Sequence, residues 1–178
     1  MPERAVILIT GIQAAGKSTV AQLLAERLPR SVHLRGDVFR KMIVRGQAGM
    51  TPDAPAEAVR QLRLRHRLTA AAADMYFEAG FTVVAQDVIL GEHLAGLVAA
   101  IRSRPLLVVV LAPQPGAVAA REAARAKTAY GPFTVAQLDE GLHGETPRIG
   151  LWLDTSEQGP AETVTEILAR AWTDGRVT

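Results

Sequence analysis

Short runs of aliphatic residues alternate along the chain with longer segments in which apolar residues recur at helical spacing. Five runs predict strands: Val6–Thr10, Val32–Arg35, Thr82–Gln86, Leu106–Leu111 and Leu151–Leu153. Most of them are continuous Val, Ile and Leu, which is typical of parallel strands covered on both faces. Six other segments predict helices: Ser18–Leu28, Asp37–Val44, Ala56–Ala79, Glu92–Arg102, Pro115–Lys127 and Ala161–Trp172. The alternation predicts a doubly wound α/β domain with a parallel sheet.

Two segments interrupt this alternation. Arg45–Pro55 is rich in Gly and Pro, which indicates a loop, and Ala126–Phe133 separates the fourth predicted strand from the fifth. Both should lie over the carboxyl edge of the sheet, because open α/β domains bind their ligands there.

Composition narrows the class of protein. The chain has 178 residues, of which 48% are hydrophobic and 21% charged, so we expect a single globular domain over residues 1–178. The net charge of +2 neither requires nor excludes an anionic partner. The absence of cysteine excludes disulfides, thiolate metal sites and a cysteine nucleophile. No apolar run is long enough for a membrane helix or a secretory signal, so we expect a cytoplasmic protein without a membrane partner.

The first predicted strand ends in a glycine-rich loop that carries a lysine, one of only three in the chain. Its sequence, GIQAAGKST, fits the P-loop template, with a strand before it and a helix after it. Backbone N–H groups of such a loop surround phosphate oxygens, while the lysine contacts the β- and γ-phosphates and the serine hydroxyl binds Mg²⁺. A glycine turn with a solvated lysine is the alternative, but the flanking elements favour nucleotide binding. The expected nucleotide contacts are Gly11, Gln13, Ala14, Ala15, Gly16, Lys17, Ser18 and Thr19, with Ser18 also a metal ligand.

Two aspartates follow predicted strands directly. Asp87 follows the third strand and could help to hold Mg²⁺ beside the phosphates, as a Walker-B-type acid does. Asp37 follows the second strand and could accept a proton from an attacking hydroxyl group, or it could simply cap the next helix. Arg40, three residues later, could orient the Asp37 carboxylate or bind an acidic substrate. The histidines show no metal-ligand spacing.

Arginines in two other segments could contact a ligand. Arg121 and Arg125 share one helix face just before the second irregular segment. From a lid, they could stabilise charge on a transferring phosphoryl group and contact the nucleotide; a solvated helix is the alternative. The stretch RQLRLRHR, which holds Arg60, Arg63, Arg65 and Arg67, is more typical of a solvated face. It keeps a nucleic-acid substrate open as an alternative.

Four stretches carry a resemblance to a known family: GIQAAGKST, the aspartate of RGDVFR, VVAQDVILG and GAVAAREAAR. In this order they resemble the small P-loop kinases, most closely the chloramphenicol phosphotransferase-like group, over most of residues 5–128. The resemblance implies a five-stranded parallel sheet in the order 2-3-1-4-5 and ATP bound in the P-loop. It also implies Asp37 as the base that deprotonates the acceptor, and lid arginines that cover the phosphates. The acceptor would be recognised by an insertion at about 41–67, with a lid at about 121–134.

The chain also departs from that family. Gln86-Asp87 stands where the family has two acids, and residues 41–67 show no match, so chloramphenicol itself is not implied. The Asp37-x-x-Arg40 spacing resembles a helix of the polynucleotide 5′-hydroxyl kinases. The closing strand and helix are similar to those of several such kinases, which makes Thr155 and Ser156 candidate neighbours of the adenine.

The favoured hypothesis is an ATP- and Mg²⁺-dependent kinase that phosphorylates a hydroxyl group of a small molecule, either a metabolite or an antibiotic. In that hypothesis Asp37, Lys17, Arg121 and Arg125 are catalytic, and the acceptor contacts Asp37, Arg40 and Asp87. A polynucleotide 5′-hydroxyl kinase and a nucleotide-binding regulatory protein without transfer chemistry are the alternatives. Phe39, Met42 and Met50 could form an apolar acceptor pocket. A GTPase is disfavoured because the guanine-binding Asn-Lys-x-Asp motif is absent.

Overall fold

The computed structural model describes residues 3–125 and 131–178. The strands are β1 Val6–Thr10, β2 Ser31–Arg35, β3 Thr82–Gln86, β4 Leu106–Leu111, β5 Leu151–Leu153 and β6 Arg176–Val177. The helices are α1 Lys17–Glu26, α2 Asp37–Lys41, α3 Ala56–Glu78, α4 Glu92–Ala100, α5 Pro115–Ala123, α6 Val135–Glu140 and α7 Pro160–Asp174. A single π-helical turn, Gly141–Glu145, continues α6.

The predicted sheet is confirmed. Five parallel strands run in the order β2-β3-β1-β4-β5, and the short β6 pairs antiparallel with the start of β4. In the register of the sheet, Ile9 of β1 lies opposite Gln86 of β3 on one side and Val109 of β4 on the other. Arg35 of β2 also lies opposite Gln86. The P-loop, Asp37 and Asp87 therefore emerge side by side at one edge of the sheet.

Every residue of β1, β3 and β4 is buried, which explains why these strands are continuous apolar runs in the sequence. Helices α1 and α7 pack against each other and against the sheet, and α3 packs against the sheet and against α4. The strands and helices share one hydrophobic core. This core holds in place the edge of the sheet from which the P-loop, Asp37 and Asp87 emerge.

Some predicted boundaries are wrong. Helix α2 ends at Lys41 rather than Val44, so the segment beyond it is irregular. The prediction missed α6, the π-helical turn and β6, all of which are short. Helix α5 ends at Ala123, and residues 124 and 125 form a turn, so the predicted continuation of this helix is too long. The centre of the predicted lid, residues 126–130, lies outside the described residues.

Candidate active site

The loop after β1 has the backbone that its sequence predicts. Ala14 and Gly16 adopt left-handed conformations, with φ of 63° and 92°, and α1 begins immediately afterwards at Lys17. A left-handed φ at alanine is sterically costly and is typical of functional loops held in place by their surroundings. The Lys17 Nζ donates a hydrogen bond to the Ile12 carbonyl oxygen at 2.8 Å, so the side chain folds back across the loop.

Lys17 is buried, with 8% of its surface exposed. The pKa of its ammonium group is lowered to about 8, mainly by burial; the charge of Arg125 contributes to the lowering, and the charges of Asp87 and Asp37 oppose it. A buried cation that is only partly compensated favours the approach of an anion. The structure thus brings a pre-formed loop, the N-terminus of a helix and a buried lysine together, as phosphate binding requires.

The residues beside Lys17 fit Mg²⁺ through one hydroxyl group, that of Ser18. Ser18 is exposed at the start of α1, and its Oγ accepts a hydrogen bond from the Gln86 amide nitrogen at 3.1 Å. Among residues 3–125 and 131–178, no three His, Asp or Glu side chains form a metal cluster. Mg²⁺ commonly takes only one or two ligands from the protein and the rest from phosphates and water. One serine hydroxyl beside a phosphate loop fits that pattern.

Asp37 is the first residue of α2, and two cations hold its carboxylate. Lys41 Nζ lies 2.7 Å from Oδ2, and Arg35 Nε lies 3.8 Å from Oδ1. Partial burial raises the pKa of Asp37, but the hydrogen bond from Lys41 and the charges of Lys41, Arg35 and Arg65 outweigh it, so the pKa lies below its usual value. Oδ1 accepts no hydrogen bond from the described residues. One oxygen is thus anchored, and the other has a lone pair for a donor.

The predicted contact of Arg40 with this carboxylate does not appear. Arg40 bonds to Gln47 instead: Nη1 donates to Oε1 at 3.4 Å, and the Gln47 amide donates to the Arg40 carbonyl at 2.8 Å. Arg40 borders the cavity from its exposed side and braces the segment after α2. The residue that sequence reasoning missed is Lys41, although its four-residue spacing from Asp37 is the usual signal for an ion pair on a helix.

Asp87 pairs with Arg65, a residue that the sequence did not set apart from its neighbouring arginines. Arg65 Nε lies 2.8 Å from Oδ2, and Nη2 lies 3.1 Å from Oδ1, which also accepts the Val88 N–H at 2.8 Å. Asp87 is 6% exposed and the Arg65 side chain 14%, so the pair is buried. Burial raises the pKa of Asp87, and Arg65 opposes that shift. A methyl group on Gly36 would overlap Asp87 Oδ2.

Arg121, in α5, and Arg125, just after its end, contact different parts of the site. Arg121 Nη2 donates to the Thr155 carbonyl at 2.6 Å, which ties α5 to the segment after β5. Arg121, Thr155 and Thr19 border a small cavity of about 260 Å³ behind the P-loop. Ser156 Oγ accepts the Gln114 N–H at 2.8 Å nearby. Arg125 is exposed and borders the larger cavity, on the side of Lys17.

The larger cavity, of about 1060 Å³, contains the P-loop side chains, Asp37 and Asp87 together. Its walls come from α2, residues 42–50, α3, the start of α4 and residues 131–145. The three apolar residues that the sequence suggested for an acceptor pocket, Phe39, Met42 and Met50, all border it. So does His66, which is buried and packs edge-to-face on His93 with 5.7 Å between ring centroids. Burial lowers the pKa of His66 to about 4, so this imidazole is uncharged at neutral pH.

Comparison with known protein families shows which family contains these site residues. The profile of an AAA domain family, AAA_33, matches residues 6–144, which is most of the chain and includes the P-loop, Asp37, Asp87 and both arginines of the predicted lid. The chain belongs to this AAA domain family. A UPF0200 protein from Aeropyrum pernix is 39% identical over 62 residues, which are 35% of this chain and 33% of that protein. The matched stretch therefore spans only about a third of the curated relative.

Solved structures with the same fold cover nearly all of this AAA domain. An unliganded sugar kinase from Janibacter superposes with a TM-score of 0.68 at 18% identity, over 94% of each chain. The APS kinase CysC of Mycobacterium tuberculosis, in complex with AMPPNP and APS, has a TM-score of 0.68 at 20% identity, over 94% of this chain and 98% of that one. The predicted P-loop kinase fold is confirmed, whereas the narrower chloramphenicol phosphotransferase-like assignment stays a prediction. No helix in the described part of this AAA domain could cross a membrane.

Proposed function

We propose that this AAA domain is an ATP-dependent phosphotransferase that moves the γ-phosphoryl group of ATP to a hydroxyl group of a small molecule. One observation carries the proposal: the Asp37 carboxylate, which Lys41 anchors through Oδ2 and whose Oδ1 accepts no hydrogen bond from the described residues, shares a cavity with the lysine of a phosphate loop. Kinases among the proteins of the same fold add support.

The nucleotide would bind with its phosphates in the P-loop. Lys17 would contact the β- and γ-phosphates, and Ser18 would hold Mg²⁺, which when bound neutralises phosphate charge. Asp87 already contacts Arg65 through both oxygens, so it would act on the metal only through water. The small cavity between the P-loop, Arg121 and Thr155 suits the nucleoside end of ATP.

Asp37 would receive the acceptor. The acceptor hydroxyl donates its hydrogen bond to Oδ1, while Lys41 keeps the carboxylate in one orientation through Oδ2. As the new O–P bond forms and the bond to ADP breaks, the hydroxyl proton passes to Oδ1. The lowered pKa of Asp37 makes it a weak base, which suffices because phosphoryl transfer has a loose transition state with late proton transfer. Its main contribution is therefore orientation of the acceptor oxygen.

Two cations, Lys17 and Arg125, would offset the negative charge of the transferring group, and a third, Arg121, would contact the nucleotide. Arg125 stands on the Lys17 side of the large cavity and is close enough to lower the Lys17 pKa, so both can act on the same phosphates. Arg121 is anchored to Thr155 and lies nearer to the nucleoside cavity. We therefore assign Arg125 to the transferring phosphate and Arg121 to the nucleotide.

The decisive experiment is a search for transfer from γ-³²P-ATP to a panel of hydroxylated metabolites and antibiotics. We expect one chemical class to be labelled, and Asp37→Asn to reduce transfer by about a hundredfold or more while ATP still binds. Asp53→Asn is the matched control, because Asp53 is exposed in the loop before α3 and does not border the cavity. Full transfer by the Asp37→Asn protein would contradict the proposal.

The structure favours a small molecule over a polynucleotide as the acceptor. Arg60 pairs with Glu57 at 2.6 Å, and Arg63 lies 3.8 Å from Glu92, so two of the exposed arginines of α3 are partly neutralised by their neighbours. An oligonucleotide with a free 5′-hydroxyl belongs in the same panel. Labelling that is confined to it, with a steep loss of binding in salt, would reverse this choice.

A further inference from the structure

The charges and walls of the large cavity narrow the class of acceptor. The reasoning rests on the proposed function, because it assumes that the acceptor binds beside Asp37. Its hydroxyl must then face the P-loop, and the rest of the molecule must extend between α2, residues 42–50 and α3.

The cations on that side of the cavity already have acidic partners. Arg65 is paired with Asp87 at 2.8 Å, and Lys41 with Asp37 at 2.7 Å; Arg35 lies 3.8 Å from Asp37. In residues 3–125 and 131–178, the remaining cation that borders this side is Arg40, which is exposed and bonded to an amide. A carboxylate or phosphate on the acceptor would lose its water without gaining a buried cation, and it would face two carboxylates.

Of the other polar groups that border the cavity, Glu92 and Glu145 add negative charge, and the histidines and the Gln61 amide are neutral. His66 and His93 stack on each other, and the pKa of both lies below the usual value because they are partly or largely buried. The side chain of Gln61 holds the opposite wall: its amide nitrogen donates to the Gly46 carbonyl at 2.7 Å, and its oxygen accepts the Ala48 N–H at 2.8 Å. The segment after α2 is therefore fastened to α3, and the wall that it forms is part of the folded structure.

That wall is largely apolar. Side chains from the segment after α2, from α3 and from the residues just before α6 converge on the cavity: Met42, Ile43, Met50, Leu62, Leu68 and Phe133. Met42 is 65% exposed although it borders a cavity. Apolar side chains that converge on a concave surface, instead of being scattered, mark a ligand site, and methionine adapts to ligand shape.

We infer that the acceptor is an uncharged alcohol with an apolar body, which packs on this wall and presents its hydroxyl group to Asp37. Acceptors that carry a carboxylate or a phosphate beside the apolar wall are rejected. The preference for an uncharged acceptor comes from the pairing of the local cations with acids and from the apolar wall. Within that wall, Ile43 is the side chain most suited to a test.

Two probes separate the alternatives: 2-naphthylmethanol and 6-(hydroxymethyl)-2-naphthoate, which share the ring and the hydroxymethyl group and differ in one carboxylate. Their dissociation constants would be measured by calorimetry on the full chain saturated with a non-hydrolysable ATP analogue. The wild-type protein should bind the uncharged probe at least tenfold more tightly. Equal or tighter binding of the naphthoate, or no binding of either probe, would overturn the inference.

A pair of variants makes the test independent of folding defects. Ile43→Arg places a cation in the wall and should shift the preference at least tenfold towards the naphthoate. Val44→Arg adds the same charge one residue later, where the side chain is 92% exposed and does not border the cavity, and should leave the preference unchanged. Equal shifts in both variants would overturn the inference, because they would indicate a general charge effect.

The same probes distinguish this inference from the proposed function. Preference for the naphthoate, together with Asp37-dependent transfer from γ-³²P-ATP, would overturn the inference and leave the kinase proposal standing. Tight binding of the uncharged probe, with the expected response to Ile43→Arg but no labelling of any alcohol in the panel, would support the acceptor class and contradict the kinase proposal.

Discussion

Burial of Lys17 should couple nucleotide binding to proton uptake. The ammonium group is enclosed by the loop, and its pKa falls to about 8, mainly through burial. Phosphate oxygens in contact with Nζ would favour the charged form and raise the pKa again in the complex. The free protein at alkaline pH must therefore gain a proton on Lys17 when a nucleotide binds, and its affinity must fall as the pH rises.

The size of the effect follows from that pKa. With a value of about 8, Lys17 is neutral in about a tenth of the free protein at pH 7, about half at pH 8 and about nine tenths at pH 9. The dissociation constant of the nucleotide should rise roughly tenfold between pH 7 and pH 9, which is about 1.4 kcal/mol of binding free energy. Proton uptake should rise over the same range, from about 0.1 to about 0.9 per nucleotide bound.

Calorimetric titration with a non-hydrolysable ATP analogue, in two buffers of different ionisation enthalpy, measures both quantities at pH 7, 8 and 9. Lys17→Arg is the control, because a guanidinium group stays charged throughout this range and any proton change that remains belongs to the ligand. A flat affinity from pH 7 to pH 9, or the same proton uptake in the arginine variant, would refute the reasoning.

Other predictions concern stability and the ion pairs of the site. Lys17→Met should raise the free energy of unfolding, measured in urea at pH 7, by up to about 3 kcal/mol, because it removes a buried charge. The pKa of Lys17 is lower in the folded protein than in the unfolded chain. The gain in stability should therefore shrink as the pH rises from 8 towards 10.5. Asp74→Ala should lower that free energy by about 1–3 kcal/mol, because the carboxylate accepts the backbone N–H groups of Arg102 and Ser103. Gly36→Ala should reduce the transfer rate, since the methyl group displaces the Asp87 carboxylate; an unchanged rate in steady-state assays would contradict this.

The central sheet could be predicted because buried parallel strands leave a continuous apolar signal. All five predicted strands lie within a residue of their observed bounds. The short elements carry little signal of this kind. Helix α6 has six residues, and β6 has two. One local clue was available: Thr134 and Gln137 form a capping box, whose spacing can be read directly in the sequence.

The candidate site was predictable where it depends on strand ends and unpredictable where it depends on helix packing. Asp37 and Asp87 follow neighbouring parallel strands, so their proximity to the P-loop follows from topology. The pairing of Asp87 with Arg65 depends on how α3 is rotated against β3, which the sequence does not specify. The burial of His66 on the same helix has the same origin.

The charged groups of the site form an alternating series that bears on the whole mechanism. The charge of Asp87 raises the pKa of Lys17, and Asp87 itself pairs with Arg65. The charges of Arg65 and Lys41 both lower the pKa of Asp37. Each charge in the series is compensated before any ligand binds, apart from the partly compensated Lys17. In the proposed function, a triphosphate would bring its own Mg²⁺ and meet Lys17 and Arg125, so its excess charge would have a partner. A negatively charged acceptor on the side of Asp37 would have none, because freeing a cation there would leave a carboxylate unpaired. The arrangement that would position the acceptor oxygen would therefore also select against an acceptor with negative charge.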